Sequence, residues 1–157
     1  SSDISEIKNQ YNLKKYILLF PFCSPHLTIK KWPYYNDLIN LISNKFGDEY
    51  KILTAPGPKE IIDAQEINAL SVLDNGKSLD VSQLTSLIID SSFVVANDTG
   101  PAHISAHVGA RGLTLFGTHT TAHKVSIERK NFKAIEVSDL NNLSAEKVFE
   151  RLYNSLS

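Results

Sequence analysis

Two stretches of this chain carry residue types suited to holding an anion. The first is "NDTGPAH", residues 97–103, set between an apolar run "SFVVA" and a small-residue segment "ISAHVGA". If the run is a strand and the segment a helix, Pro101 suits the first helical turn, where its missing N–H would have had no partner. Gly100 then falls at or beside the N-cap, lets the chain turn sharply and lets another group come close to the backbone. The amides of Thr99, Gly100, Ala102 and His103 are expected to face outward from the positive end of the helix, which makes an anion site. Thr99 adds a hydroxyl, and His103 in the first turn can reach a phosphate or brace the loop. Asp98 is ill placed beside an anion, so it is expected to accept hydrogen bonds from loop amides or from a ligand hydroxyl. The same residue types also serve as plain helix caps, so the junction alone leaves both readings open. His107, one turn on, reads as structural.

The second stretch is "CSPHLTIKKWPYY", residues 23–35. Ser24, His26, Thr28 and the pair Lys30–Lys31 precede a Trp-Pro helix start. A lysine here can neutralise a diphosphate held at the other helix, although a solvated basic pair is also common. Trp32 is expected to pack under the loop. Glu60 opens a predicted helix after "APGP" and either accepts ribose hydroxyls or complements the helix dipole. Position alone favours the dipole.

These residues need elements to hold them. "YILLF" (16–20) is a continuous apolar run ended by Pro21, as in a strand buried on both faces. "WPYYNDLINLISNKFG" has helical spacing between Pro33 and Gly47. The pattern then predicts a strand over 50–55, a helix over "KEIIDAQEINAL", a short strand near 70–73 and a helix over 78–91. A strand over 93–96 and a helix over 101–110 follow, then a strand over 113–117. A last strand over 132–137 and a helix begun by Ser144 close the chain. Alternating strands and helices imply an α/β, doubly wound, Rossmann-like parallel sheet of five or six strands in a single domain spanning residues 1–157. Ligands in this class bind beyond the carboxyl ends of the strands, where strand order switches. That selects the loops at 21–31, 55–60, 97–101 and 117–124.

The totals fit an ordinary globular domain: 157 residues, 42% hydrophobic, 21% charged. With a net charge of −1, nothing argues for a broad nucleic-acid or membrane surface, so an anion site must come from local geometry. With Cys23 as the one cysteine, no intrachain disulfide forms, and a reducing, cytoplasmic compartment is the default. No apolar run reaches the roughly 18 residues of a spanning helix. The absence of Met and the start at Ser1 lead to the expectation of a processed chain or an excised domain.

The run "FVVANDTGPAHISAHVGARGLTLFG" resembles the carboxy-terminal signature of the family 9 glycosyltransferases, the heptosyltransferases of lipopolysaccharide synthesis. Their pattern is a strand, D-[ST]-G-P-x-H, a small-residue helix, Gly, and a strand ending in F-G. Here it is met by Asp98, Thr99, Gly100, Pro101, His103, Gly109 and Phe116–Gly117. The family's basic pair before Trp-Pro is matched by Lys30-Lys31-Trp32-Pro33. The likeness covers most of residues 16–137. Two loops differ from the family's usual type: "GTHTTAHK" after the F-G strand and "PFCSP" after the first strand.

The resemblance implies one half of a two-domain GT-B architecture, the carboxy-terminal half that binds a nucleotide-sugar, an ADP-sugar such as ADP-heptose foremost. It implies an inverting transfer without metal or further cofactor to a lipopolysaccharide-type acceptor. The acceptor and the catalytic base belong to an amino-terminal domain outside this chain, so the chain alone is expected to be inactive. Lys30, with the Thr99 and Gly100 amides, matches the group that stabilises the leaving phosphates. Ser24 lies in the same loop, His103 matches the motif histidine beside the phosphates, Asp98 opens that motif, Glu60 lies near where the family binds ribose, and Leu79 lies near a residue packed on the base. The parent is expected on the cytoplasmic side, peripheral at the inner membrane. Two other readings stay open: a non-catalytic nucleotide- or phosphate-binding module, and a GT-B relative using a UDP-sugar, such as an epimerase.

Overall fold

A computed structural model describes residues 3–23, 31–117 and 127–157. In chain order the elements are α1 (Ser5–Tyr11), β1 (Tyr16–Phe20), α2 (Tyr35–Phe46), β2 (Lys51–Thr54), β3 (Leu70–Ser71), α3 (Val81–Ile89), β4 (Phe93–Asn97), α4 (Gly100–His107), β5 (Gly112–Phe116), β6 (Phe132–Glu136) and α5 (Ala145–Leu156). Six strands form one sheet in the order β3-β2-β1-β4-β5-β6, and every neighbouring pair is parallel. The doubly wound sheet expected from the alternation is present, with its order reversing between β1 and β4.

Burial on both faces explains the unbroken apolar strands. All five residues of β1, β4 and β5 are buried. Leu18, Phe20, Val94, Ala96 and Phe116 pack on one side with Ile7 of α1, Leu87 of α3 and Ala102 and Ala106 of α4. Ile17, Leu19, Val95, Leu113 and Leu115 pack on the other with Leu38 and Ile42 of α2 and Val148 and Leu152 of α5. The alanines of α4 let that helix lie close to the sheet. Gly109 then takes φ +75 and ends it.

Two elements differ from expectation. The amino-terminal helix α1 was not anticipated. It buries Ile7, and its Lys8 reaches Asp90 at the end of α3 at 2.5 Å. The helix expected over "KEIIDAQEINAL" is absent, and that stretch holds a turn and a short 3-10 helix at Asp63–Glu66. Its apolar residues do not share a buried face: Ala64 is buried while Ile62 is 77% exposed. Asn36 of α2 also captures its far end, accepting from the Asn68 amide at 2.8 Å and donating to the Glu66 carbonyl at 2.9 Å. Backbone groups held from outside are lost to a helix ladder. Among the described residues, no helix is long and apolar enough to cross a membrane.

Candidate functional site

The switch in strand order sets the exit of β1 beside the exit of β4, where this class of sheet binds ligands. Asn97, the last residue of β4, is fully buried. Its Nδ2 donates to the Pro21 carbonyl just beyond β1 at 2.9 Å, and its Oδ1 accepts from the Tyr35 hydroxyl at 2.9 Å. One side chain therefore joins both exit loops to the first turn of α2. Burial, with a smaller contribution from the nearby Cys23 thiol, raises the Tyr35 pKa well above the usual tyrosine value, so the hydroxyl keeps its proton and donates. Trp32 is buried as expected. Its Nε1 donates to the Leu143 carbonyl at 2.8 Å, and its ring meets that of Tyr35 edge-on at 4.9 Å. These contacts hold the chain immediately after the basic pair. Lys31 is exposed, while Lys30, Ser24, His26 and Thr28 lie outside the described residues.

Asp98, Thr99 and Gly100 follow in a tight junction. Asp98 is 3% exposed. Thr99 is the N-cap of α4, in extended conformation, and the helix begins at Gly100, beside the N-cap as expected. The Thr99 hydroxyl donates to the Asn97 carbonyl at 3.3 Å, which turns it toward its own loop. The expectation of four outward amides is corrected: those of Ala102 and His103 both donate to the Thr99 carbonyl, at 3.1 and 3.3 Å. This carbonyl closes the first turn and takes up the third and fourth donors. The amides of Thr99 and Gly100 have no acceptor among the described residues. Gly100 is exposed, and a Cβ built there meets nothing within 4 Å. Among the described residues, then, nothing crowds Gly100, and two amides without an acceptor stand at the positive end of a helix.

His103 stands on the exposed side of α4 and engages a contact of its own. His107 is exposed too, and both histidines line a groove with Thr85 and Arg129.

Glu60 and Ser78, the residue before Leu79, both bond to the loop at the exit of β2. With no helix there, Glu60 does not meet a helix dipole. Its Oε1 accepts from the Gly57 amide at 2.8 Å and shapes the "APGP" loop. Ser78 donates to the Pro56 carbonyl at 2.8 Å, which ties Leu79 to that loop, while Leu79 itself half-buries against the core. A capping box follows, with Asp80 accepting from the Gln83 amide and Gln83 answering to the Asp80 amide. Sequence reasoning missed Asn97, Tyr35 and Ser78 as organisers of the site. Tyr35 stands in a Trp-Pro helix start and Asn97 opens the junction at 97–103, and no local pattern tells that they meet.

The comparisons with known proteins agree with this fold. A family model described as glycosyltransferase family 9 (heptosyltransferase) matches residues 2–151. Among solved structures, the fold is similar to E. coli ADP-heptose LPS heptosyltransferase II, with TM-score 0.77 and 19% identity over 97% of this chain and 50% of that one. It is similar to E. coli heptosyltransferase WaaC with ADP, with TM-score 0.73 and 20% identity over 99% of this chain and 50% of that one. A Methanocaldococcus jannaschii UDP-GlcNAc 2-epimerase, solved with UDP-GlcNAc and UDP, shares the fold with TM-score 0.64 and 12% identity over 98% of this chain and 42% of that one. The chain spans about half the length of these structures. No curated protein matches it by sequence. On the family match over nearly its whole length, with the sheet order and the DTGP junction in place, the chain belongs to glycosyltransferase family 9, the heptosyltransferase family.

Proposed function

We propose that this chain is the donor-binding half of an inverting glycosyltransferase. On this reading it holds a nucleoside-diphosphate sugar, ADP-heptose foremost, while an amino-terminal domain supplies a lipopolysaccharide-type acceptor and the catalytic base. The observation that carries it is the pair of amides, Thr99 and Gly100, at the start of α4, which have no acceptor among the described residues and no described atom within 4 Å of a Cβ at Gly100. The exits of β2 and β4 lie two strands apart, about 10 Å. That suits a ligand whose phosphates meet Thr99 and Gly100 and whose ribose and base meet Glu60 and Leu79.

In the reaction, an acceptor hydroxyl attacks the anomeric carbon and its proton passes to the base. The carbon–oxygen bond to the diphosphate breaks, and negative charge grows on the leaving phosphates. The α4 amides, Lys30 and His103 stabilise that charge, and Ser24 lies in the same loop. Asp98 holds the loop or a ligand hydroxyl. The parent works on the cytoplasmic face of the inner membrane as a peripheral protein.

A UDP-sugar donor is the second reading, favoured by the likeness of the fold to an epimerase solved with UDP. The test is an amide chemical-shift titration with ADP, UDP and inorganic phosphate. Saturable shifts at Thr99, Gly100 and His103, strongest with ADP, are expected. A preference for UDP moves the donor assignment, and the absence of shifts with either nucleotide removes the donor role from this isolated chain. Lys30→Ala should weaken ADP much more than adenosine. An equal loss for both would take Lys30 out of the phosphate site.

A further inference from the structure

Away from the strand exits, four cationic side chains from three parts of the fold line one concavity. Arg111 stands just before β5, Lys130 and Lys133 flank the start of β6, and Arg151 projects from α5. All four are exposed, and among the described residues no carboxylate lines the same concavity. The ion pairs among the described residues, Lys8–Asp90 and Lys15–Glu49, use none of them. The chain as a whole carries a formal charge of −1, so this positive excess is local. Four like charges gathered around one hollow repel one another, and a bound anion relieves that repulsion. One of them is also held in place: Arg111 Nη1 donates to the Ser155 carbonyl near the end of α5 at 3.2 Å.

We infer that this concavity is a second anion site, built to take phosphate groups. Arg and Lys together fit a phosphate, the planar guanidinium by paired hydrogen bonds and the ammonium as a point charge. Phe93 and Gly112, which also line the concavity, open their strands, whereas the donor site lies past the strand ends. Four steps along a five-residue strand separate the two by at least about 13 Å, so one nucleoside diphosphate does not occupy both. The phosphate comes either from anionic phospholipid headgroups at a bilayer surface or from a free phosphate compound.

Two arms separate these sources. In one, the chain is sedimented with vesicles containing phosphatidylglycerol and with vesicles of phosphatidylcholine alone. In the other, it is titrated with inorganic pyrophosphate and followed by amide shifts. Binding in either arm, with shifts or protection at Arg111–Leu113 and Asn131–Lys133, supports the site. A response to anionic vesicles names the headgroup, and a response to pyrophosphate alone names the free compound. The double substitution Lys130→Glu/Lys133→Glu should weaken either interaction at least about 25-fold, about fivefold for each cation lost. The single change Arg151→Gln, on an exposed helix face, should weaken it about fivefold with unchanged Tm. No binding in either arm overturns the inference, as does binding that both variants retain. Pyrophosphate shifts confined to Thr99 and Gly100 report the donor site and also overturn it, so the two sites fail or stand separately.

Discussion

The Tyr35 hydroxyl donates to Asn97 Oδ1 at 2.9 Å with both side chains buried, and the Asn97 amide passes the connection on to the Pro21 carbonyl. The bond spans the place where strand order reverses. It fixes the exit of β4, which carries the DTGP junction, against the exit of β1, which leads to the basic pair.

Tyr35→Phe leaves a buried amide oxygen without its donor, at a cost of about 1–3 kcal/mol. Asn97→Leu should cost more, because it also breaks the bond to Pro21. Urea denaturation of the two variants checks the order. An Asn97→Leu protein as stable as the parent would show that the connection holds nothing together.

Alkaline pH should unfold this chain through its buried tyrosines. Burial raises the pKa of Tyr35, and burial with the Asp90 charge raises that of Tyr16, whose hydroxyl donates to the Leu87 carbonyl at 2.6 Å. Below the unfolded tyrosine pKa of about 10 both states keep their protons, and neither tyrosine makes stability depend on pH. Above it the unfolded chain loses protons that the fold retains, so stability falls by about 1.4 kcal/mol per pH unit for each tyrosine. Stability measured from pH 8 to 11 should bend downward near pH 10, and Tyr16→Phe should roughly halve the slope. A flat profile would contradict the protonated state of both groups.

Two glycines should respond in opposite ways. A Cβ at Gly100 enters open space, whereas one at Gly112 would lie 2.3 Å from the Val94 carbonyl oxygen. Gly100→Val should keep the fold and lower nucleoside diphosphate affinity at least about tenfold, a loss of about 1.4 kcal/mol. Gly112→Ala should destabilise by about 1–3 kcal/mol, as overpacking does. Thermal melts beside ADP titrations test both, and unchanged affinity in a folded Gly100→Val protein would rule out the backbone cradle.

Glu60 has one oxygen committed to the Gly57 amide, which leaves the other for a ligand hydroxyl. ADP should therefore bind better than its deoxyribose analogues by about tenfold, the worth of a hydrogen bond to a charged group. Glu60→Gln, which can keep an oxygen on Gly57, should shrink that preference. Equal discrimination in the variant would return Glu60 to a purely local role in the loop.

Much of the architecture was legible in the order of residues. Unbroken apolar runs such as "YILLF" and "FVVA" demand burial on both faces, and their alternation with helical spacing leaves few arrangements besides a doubly wound parallel sheet. The junction at 97–103 could also be read, since Pro and Gly there have conformational meanings that do not depend on the rest of the chain. Local rules failed where a distant partner decides. The stretch 59–70 has helical composition, yet Asn36, more than twenty residues earlier in the chain, holds its far end. The count of free amides at α4 depended on where one carbonyl, that of Thr99, came to rest. The joining of the exit loops through Asn97 and Tyr35, and the gathering of Arg111, Lys130, Lys133 and Arg151 around one hollow, arise only when strands far apart in sequence lie side by side. Periodicity records which face of an element is buried, and the tertiary fold alone decides which polar groups meet.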